Sequence, residues 1–437
     1  MSDQDTIFAL ASANGQAGLS VIRVSGAGAL DSLHQLTALT PTPRHAHYAK
    51  IRHGDDIIDE GICLYFKGPN SFTGEDVIEY TLHGSRAVVS KMLDVLAGMD
   101  GHRMAEPGEF TRRAFLNGRL DLTAAEAVAD LIHAETEAQR MQALSQLGGG
   151  LEKIYRDWSD QLAKLLAHQE AEIEFPDEDM PDGIDDAVRG KIESLISDIS
   201  GHLDDHRRGE RLRTGMQIAI IGAPNAGKSS LLNWLAGREA AIVSDTAGTT
   251  RDIVDVSLNL GGYPVVLSDT AGLRDETDDH IEQEGIRRAI TRAAEADLKI
   301  AVFDGTRTAD ETTMAQIDNK TLVIINKSDL NAVHNNDGAI GISVKSGENL
   351  DKFLEAITVR VRSFFESGQA GPPLTRERHR QNLIQTKSSL QRALSADLPE
   401  LAAEDLRQAL LSLGRITGRV DVEDLLDIVF KDFCIGK

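Results

Sequence analysis

Gly222-Ala-Pro-Asn-Ala-Gly227-Lys228-Ser229 follows an apolar β-branched run, Gln217 to Ile221, and opens the helical pattern Ser229 to Gly237. This is the phosphate-loop spacing in the setting it requires, after a strand and before a helix. Glycines let backbone N–H groups converge on a phosphate, and the helix N-terminus adds its dipole. In that chemistry Lys228 bridges the β- and γ-phosphates and is catalytic, and Ser229 ligates Mg²⁺. Asn225, Ala226, Gly227 and Ser230 complete the cradle. Taken alone, the same residues could form an ordinary glycine-rich turn between a strand and a helix.

Further elements in chain order narrow the reading. Thr249-Thr250-Arg251-Asp252 lies on a polar stretch where a threonine hydroxyl, Thr250, can complete the magnesium shell when a γ-phosphate is present. Asp269-Thr270-Ala271-Gly272 ends an apolar run, which sets Asp269 behind the metal's water shell and the Gly272 N–H near the γ-phosphate. Asn326-Lys327-Ser328-Asp329 ends another, and the Asp329 carboxylate can accept from N1–H and the exocyclic amine of guanine. Adenine offers neither donor there, so a buried unpaired carboxylate would disfavour it by about 1–3 kcal/mol. Ser343-Val344-Lys345 ends the next run, where backbone N–H groups would meet the guanine oxygen. Each tetrapeptide could be a plain strand-end loop, but the ordered set specifies GTP. Leu273 follows the DTAG sequence, and an apolar side chain cannot orient an attacking water. The acidic segment Asp275 to Gly285 is the expected source of that function.

These loops need a parallel sheet to hold them. Residues 216–369 supply it as alternating strands and helices, with Val254 to Leu260, Gly261-Gly262 and Pro264 to Leu267 forming an antiparallel hairpin on its edge. Residues 1–118 mix short strand-like runs (Asp5 to Ala11, Leu19 to Ser25, Glu60 to Phe66, Asp76 to Leu82) with glycine and proline punctuation, an α+β pattern. From Leu122 the pattern turns helical: Thr123-Ala-Ala-Glu126 reads as a capping box for a helix running towards Leu147, and a second helix spans Leu151 to Phe175. Residues 370–437 are helical again. The simplest organisation is a helical domain of two pieces, 119–215 and 370–437, interrupted by a doubly wound α/β domain.

Composition sets limits on partners. The 437 residues carry 46 Lys and Arg against 69 Asp and Glu, a formal charge of −23, with 41% hydrophobic residues. That hydrophobic share suits folded domains, and the charge excludes bulk electrostatic binding of nucleic acid or anionic membranes. Residues 119–215 hold 11 basic and 22 acidic side chains, a net of −11. Glu170, Glu172, Glu174, Asp177, Glu178, Asp179, Asp182, Asp185 and Asp186 make either a solvated face or a docking surface for a basic partner. Nucleic acid must then be met by local clusters such as Arg207-Arg208, Arg211, Arg213 and Arg376 to Arg380, or by a partner. Two cysteines, Cys63 and Cys434, argue against a disulfide framework, and neither a signal peptide nor an 18-residue apolar run is present, so a cytoplasmic protein without membrane association is expected.

Beyond the nucleotide motifs, PGEFTRRAFLNGRLDLTAAEA (107–127), FTGEDVIE (72–79) and the terminal FCIGK (433–437) make the whole chain resemble the tRNA-modification GTPase MnmE (TrmE) family. The resemblance implies a tetrahydrofolate-binding N-terminal domain, a homodimer joined through it, and a heterotetramer with the FAD-containing partner MnmG. Together they would install an aminomethyl-type group at C5 of a tRNA wobble uridine, using a folate one-carbon unit in the 5,10-methylene or 5-formyl form. Its folate residues fall on Arg23, Glu79, Arg119 and Lys437. Arg119 stands where Lys is usual, keeping the charge with a different donor geometry. His83-Gly84-Ser85 replaces the usual HGG. The family's K⁺ would be met by Asn225, with Ser244, Thr246 and Thr249 completing its cage. Its water-positioning acid falls on Glu282, with Glu284 as the weaker alternative. A ribosome-assembly GTPase would share the P-loop and TTRD segments, but this C-terminus has neither a GXXG RNA module nor a positive net charge.

Overall fold

The computed structural model describes residues 5–174, 184–238, 255–269, 293–330, 338–367 and 371–420, and within the C-terminal segment 426, 427, 429, 430 and 433–436. The chain forms two compact units, one of Met1–Ala129, Gln146–Asp179 and Arg392–Lys437, the other of Asp130–Ser145 and Met180–Gln391.

The first unit is built on a six-stranded sheet of β1 (Thr6–Leu10), β2 (Ala17–Ser25), β3 (Ala46–His53), β4 (Asp56–Phe66), β5 (Val77–Gly84) and β6 (His102–Met104) in the order β3-β4-β5-β2-β1-β6. Period-two alternation sends Phe8, Ile22, Val24, Ile78, Tyr80 and Leu82 to one face. There they bury Leu33 and Leu36 of α1 (Ala29–Thr37) and Met92 and Leu96 of α2 (Arg86–Ala97). On the other face Ile7 and Ala9 pack with Phe110 of α3 (Glu109–Leu116). The opposite end of that face is bare: one cross-strand row runs Tyr48, Ile62, Thr81, Val21, and Tyr48, Ile62 and the nearby Leu19 are exposed. Strands β3 and β6 were not foreseen, because AHYAKIRH is a polar edge sequence and β6 has only three residues.

Helix α4 (Leu122–Ile132) begins earlier than the capping-box reading placed it. Asp121, not Thr123, caps it, accepting from Ala124 N at 2.7 Å and from Thr123 Oγ1 at 2.8 Å. The helix also stops at Ile132 rather than running to Leu147, and α5 (Glu137–Leu147) starts afresh with Thr136 Oγ1 accepting from Gln139 N. Helix α6 (Gly150–Glu174) follows, then α7 (Ile184–Leu203) and α8 (Arg208–Thr214).

The second unit contains a six-stranded sheet of β7 (Met216–Ile221), β8 (Asp255–Leu260), β9 (Tyr263–Asp269), β10 (Leu298–Asp304), β11 (Thr321–Asn326) and β12 (Ile340–Gly341), ordered β12-β11-β10-β7-β9-β8. All pairs are parallel except the edge hairpin β8–β9. β12 is shorter than the expected Ala339 to Ser343. The apolar strands bury Ile218, Ile220, Leu267, Ile300, Val302 and Ile324 against Leu231 and Leu235 of α9 (Lys228–Ala236) and Phe353 and Ile357 of α11 (Leu350–Glu366). The short α10 (Glu311–Met314) lies between β10 and β11 in sequence, and α12 (Glu377–Ser395) and α13 (Pro399–Thr417) close the chain. Within the first unit, α13 packs along α6, and Leu122 and Ala125 bury Leu426, Phe430 and Phe433.

Candidate functional site

Three strand ends of the second unit meet at the phosphate loop. β7 ends at Ile221, the loop crosses six residues, and α9 starts at Lys228 behind Gly227, whose φ of 101° is left-handed. Asn225 also has positive φ, 66°. Lys228 is buried, and its Nζ donates to the carbonyls of Gly222 at 2.8 Å and Ala223 at 3.0 Å, so the ammonium is held inside the loop. Ser229 and Ser230 are exposed at the helix start, as is Asn225, while Ala226 is buried.

Asn326 ties the site together. Its buried amide donates from Nδ2 to Ala226 O at 2.9 Å, and its Oδ1 accepts from Val344 N at 3.2 Å. One side chain thus joins the phosphate loop, the NKSD turn and the SVK segment, across about a hundred residues of sequence. Nothing in the tetrapeptide alone indicated this bridge. Ser328 N donates to Ile342 O and Ser343 Oγ accepts from Ser346 N, fixing the two turns side by side. Asp329 and Lys345 are exposed, and Ser343 is buried. The Asp329 carboxylate, expected to be buried, therefore faces solvent. Lys327 adopts a left-handed φ of 65° and its Nζ donates to Asp304 Oδ2 at 2.6 Å. Burial works against the Asp304 charge, but hydrogen bonds from Lys327 and Thr306 outweigh it and hold its carboxyl at about 2.

Ser244, Thr246, Thr249, Thr250, Thr270, Ala271, Gly272, Glu282 and Lys437 lie outside the described residues, and of Asp269 only its place at the end of β9 is described. Most of the acidic run from Glu170 to Asp186 lies outside them too.

In the first unit the register of β2 against β5 places Arg23 opposite Glu79. Arg23 donates from Nε and Nη2 to Glu79 Oε1 at 2.9 and 2.8 Å, and its guanidinium stands 5.2 Å from the Phe72 ring centre and 5.6 Å from that of Phe110. The exposed Arg119 reaches the same neighbourhood from α3: a Cβ added to Gly74 would lie 3.3 Å from its Cγ, and Asn117 Nδ2 donates to Thr73 O at 2.7 Å. Below the 72–75 turn lies a charged network that sequence reasoning missed. Arg103 and Arg113 together bind Asp5, Glu75 and Glu109, and Ser25 Oγ donates to Glu75. Burial would raise the Glu109 carboxyl, but the Arg103 hydrogen bond leads the contacts that bring it below its usual value. The chain terminus reaches this unit as well: Pro107 and Ile435 form a bridge, and Gly436, with φ 99°, lies so close to β1 that an added Cβ would be 2.2 Å from Leu10 O. Cys434 is exposed.

The arginine clusters expected to offer local contacts to nucleic acid are engaged internally. Arg211 pairs with Asp297, Arg213 and Arg376 with Asp130, and Arg207 with Glu210 and Glu377. Arg380 is buried between Asp205 and Glu210. These guanidinium groups hold α8 and α12 in place, so the expectation of a basic docking patch there is corrected. Runs of arginine in sequence do not reveal carboxylates brought in from 80 to 250 residues away.

Comparison with known proteins places this arrangement. Residues 6–119 match the model of the GTP-binding protein TrmE N-terminus, and residues 122–434 match that of the MnmE helical domain. The chain is 52% identical to the tRNA modification GTPase MnmE of Rhodospirillum rubrum, covering 99% of both chains. It is 52% identical to the protein of that name from Paramagnetospirillum magneticum, over 99% of this chain and 100% of the relative. It is also 45% identical to a mitochondrial 5-taurinomethyluridine tRNA synthase subunit of Danio rerio, over 99% of this chain and 93% of the relative. With matches spanning both flanks and the nucleotide-binding segment between them, the chain belongs to the MnmE (TrmE) family of tRNA-modification GTPases.

Proposed function

We propose that this protein hydrolyses GTP to drive the modification of a tRNA wobble uridine at C5, acting as a homodimer with the flavoprotein MnmG, which carries FAD. The observation that carries the reading is the joining of phosphate loop, NKSD and SVK turns through Asn326 on a chain whose N-terminal unit holds the Arg23–Glu79 pair. The domains in this reading are 1–118 for folate and dimerisation, 216–369 for GTP, and 119–215 with 370–437 as the helical part. Hydroxyl and amide oxygens suit hard cations, and Ser229 and Asn225 are exposed beside the loop. Ser229 and Thr250 would hold Mg²⁺, while Asn225, Ser244, Thr246 and Thr249 would hold K⁺. Such cations supply positive charge against the phosphates during hydrolysis. Lys228 binds the β- and γ-phosphates, Asp329 reads the guanine edge, and Glu282 orients water in place of the Gln absent at Leu273.

Arg23, Glu79, Arg119 and Lys437 would hold the tetrahydrofolate derivative, which supplies the one-carbon unit when bound. A pterin-like ring offers both donors and acceptors, which a carboxylate beside a guanidinium can match. The bare row around Tyr48, Ile62 and Leu19 supports association of this unit with a second copy, since apolar side chains at such exposure favour burial. The net charge of −23 and the internally paired arginines support a route in which MnmG holds most of the tRNA. Among the described residues no helix is long and apolar enough to cross a membrane, which agrees with a cytoplasmic site.

Mass spectrometry of wobble nucleosides, from cells with and without this protein, tests the function. Loss of the C5-modified uridine is expected on deletion, and an unchanged nucleoside profile overturns the reading. Arg23→Leu tests the folate residues separately. Glu79 would lose its partner in a mostly buried setting, so unfolding stability should fall by about 1–3 kcal/mol. Titration calorimetry should find that affinity for the tetrahydrofolate derivative falls with it, and unaltered affinity would remove Arg23 from the site.

A further inference from the structure

The motif set leaves one well-held charge of the nucleotide site without a role. Asp304 closes β10 and pairs in register with Asn326 at the end of β11, where Gly305 N also donates to Asn326 O at 2.9 Å. Its Oδ1 accepts from Thr306 N at 3.0 Å and from Thr306 Oγ1 at 2.6 Å, and its Oδ2 accepts from Lys327 Nζ at 2.6 Å. A carboxylate bonded on both oxygens is fixed in rotation. The Asp304 side chain is 10% exposed, the Lys327 side chain 33%. Lys327 has left-handed φ, so the chain turns at this residue just after leaving β11. With its ammonium tethered, Lys327 can present a ligand only with its apolar four-carbon stem. That stem departs from the backbone between Asn326, which holds the phosphate loop, and Asp329.

We infer that Asp304 is a positioning residue for the nucleotide base, holding the Lys327 ammonium so that the Lys327 stem forms a fixed shelf against one face of the purine. The inference rests on the guanine-nucleotide reading of this site. Such a shelf meets the face of the ring and not its edge, so it acts alike on guanine and hypoxanthine. Discrimination between bases stays with the Asp329 carboxylate.

Asp304→Asn is nearly isosteric and keeps an acceptor for Thr306, but turns an amide donor towards the Lys327 ammonium. Stopped-flow release of fluorescent GDP and of fluorescent inosine diphosphate from the full-length protein provides the readout. Release of both should accelerate roughly tenfold, the order expected when a charged hydrogen bond is lost. The KM for GTP should rise by more than kcat falls. In a Lys327→Met background the same Asp304→Asn change should have no further effect on release. Thr306→Val, which frees the carboxylate to rotate, should accelerate release about threefold, and it carries the test if Asp304→Asn does not fold. Unchanged release in the folded variants, or an Asp304→Asn effect that persists at full size beside Lys327→Met, overturns the inference. Wild-type protein unable to bind GDP would instead overturn the reading of the site itself.

Discussion

Glu282→Ala should lower GTP turnover by roughly 10³-fold while GTP binding persists. The physical case begins with what the chain lacks. After the DTAG sequence stands Leu273, whose side chain can neither accept a proton nor orient a water. An attacking water left unoriented loses most of the advantage of being held in line with the γ-phosphate. The carboxylate available in the following segment is Glu282, with Glu284 two residues on. Removing a group that acts on the water affects the transition state and not the bound ground state, so kcat should collapse while nucleotide affinity stays within a few-fold. Single-turnover hydrolysis in K⁺ buffer, paired with equilibrium binding of a non-hydrolysable GTP analogue, separates the two quantities. Retained K⁺-stimulated turnover would transfer the role to Glu284 and be checked by the same pair of measurements on Glu284→Ala.

Gly227→Ala should weaken GDP binding by about 100-fold or more. Two costs coincide at this residue. Its φ of 101° is open to glycine and strained for any side chain, a penalty of about 1–3 kcal/mol. The added Cβ would lie 2.0 Å from Asn326 Nδ2, far inside contact distance. Asn326 cannot yield without losing its bonds to Ala226 O and Val344 N, and each buried polar group left unpaired costs about 1–3 kcal/mol. The substitution therefore uncouples the phosphate loop from both base-reading turns at once. Gly338→Ala is the control: it has φ 93° but nothing within 4 Å of the added Cβ. It should carry the strain alone and leave GDP affinity within about twofold. Fluorescent GDP titration of the two variants, with thermal melting to verify folding, checks the difference. Equal losses would mean that backbone strain, and not the Asn326 bridge, governs binding.

The phosphate loop was legible in the sequence because its chemistry is contiguous. Glycine spacing, a lysine, a hydroxyl and the flanking strand and helix patterns all sit within some twenty residues, and local sterics decide their conformation. The same holds for the edge hairpin at Gly261-Gly262, where both glycines take positive φ. The order of strands and helices followed from period and punctuation, and the family motifs at 72–79, 107–127 and 433–437 identified the flanks. Less was legible where competing local signals were close in strength. Asp121 and Thr123 are both good helix caps, and which one served depended on where the preceding chain delivered the first turn.

What only the tertiary structure decided are the contacts whose partners lie far apart in the chain. Asn326 meets Ala226, Asp304 meets Lys327, Arg23 meets Glu79, and Arg376 meets Asp130. A sequence states that these side chains can donate or accept, but strand register and helix docking choose which of many carboxylates each cation finds. That choice changed the meaning of the arginine clusters from a nucleic-acid surface to internal clamps. It also gave Asp304, an unremarked residue at a strand end, a fixed place beside the nucleotide site. Residue type and spacing thus set the chemistry available to this GTPase, and folding, by bringing distant charges into one low-dielectric neighbourhood, determined which of those charges remain free to act.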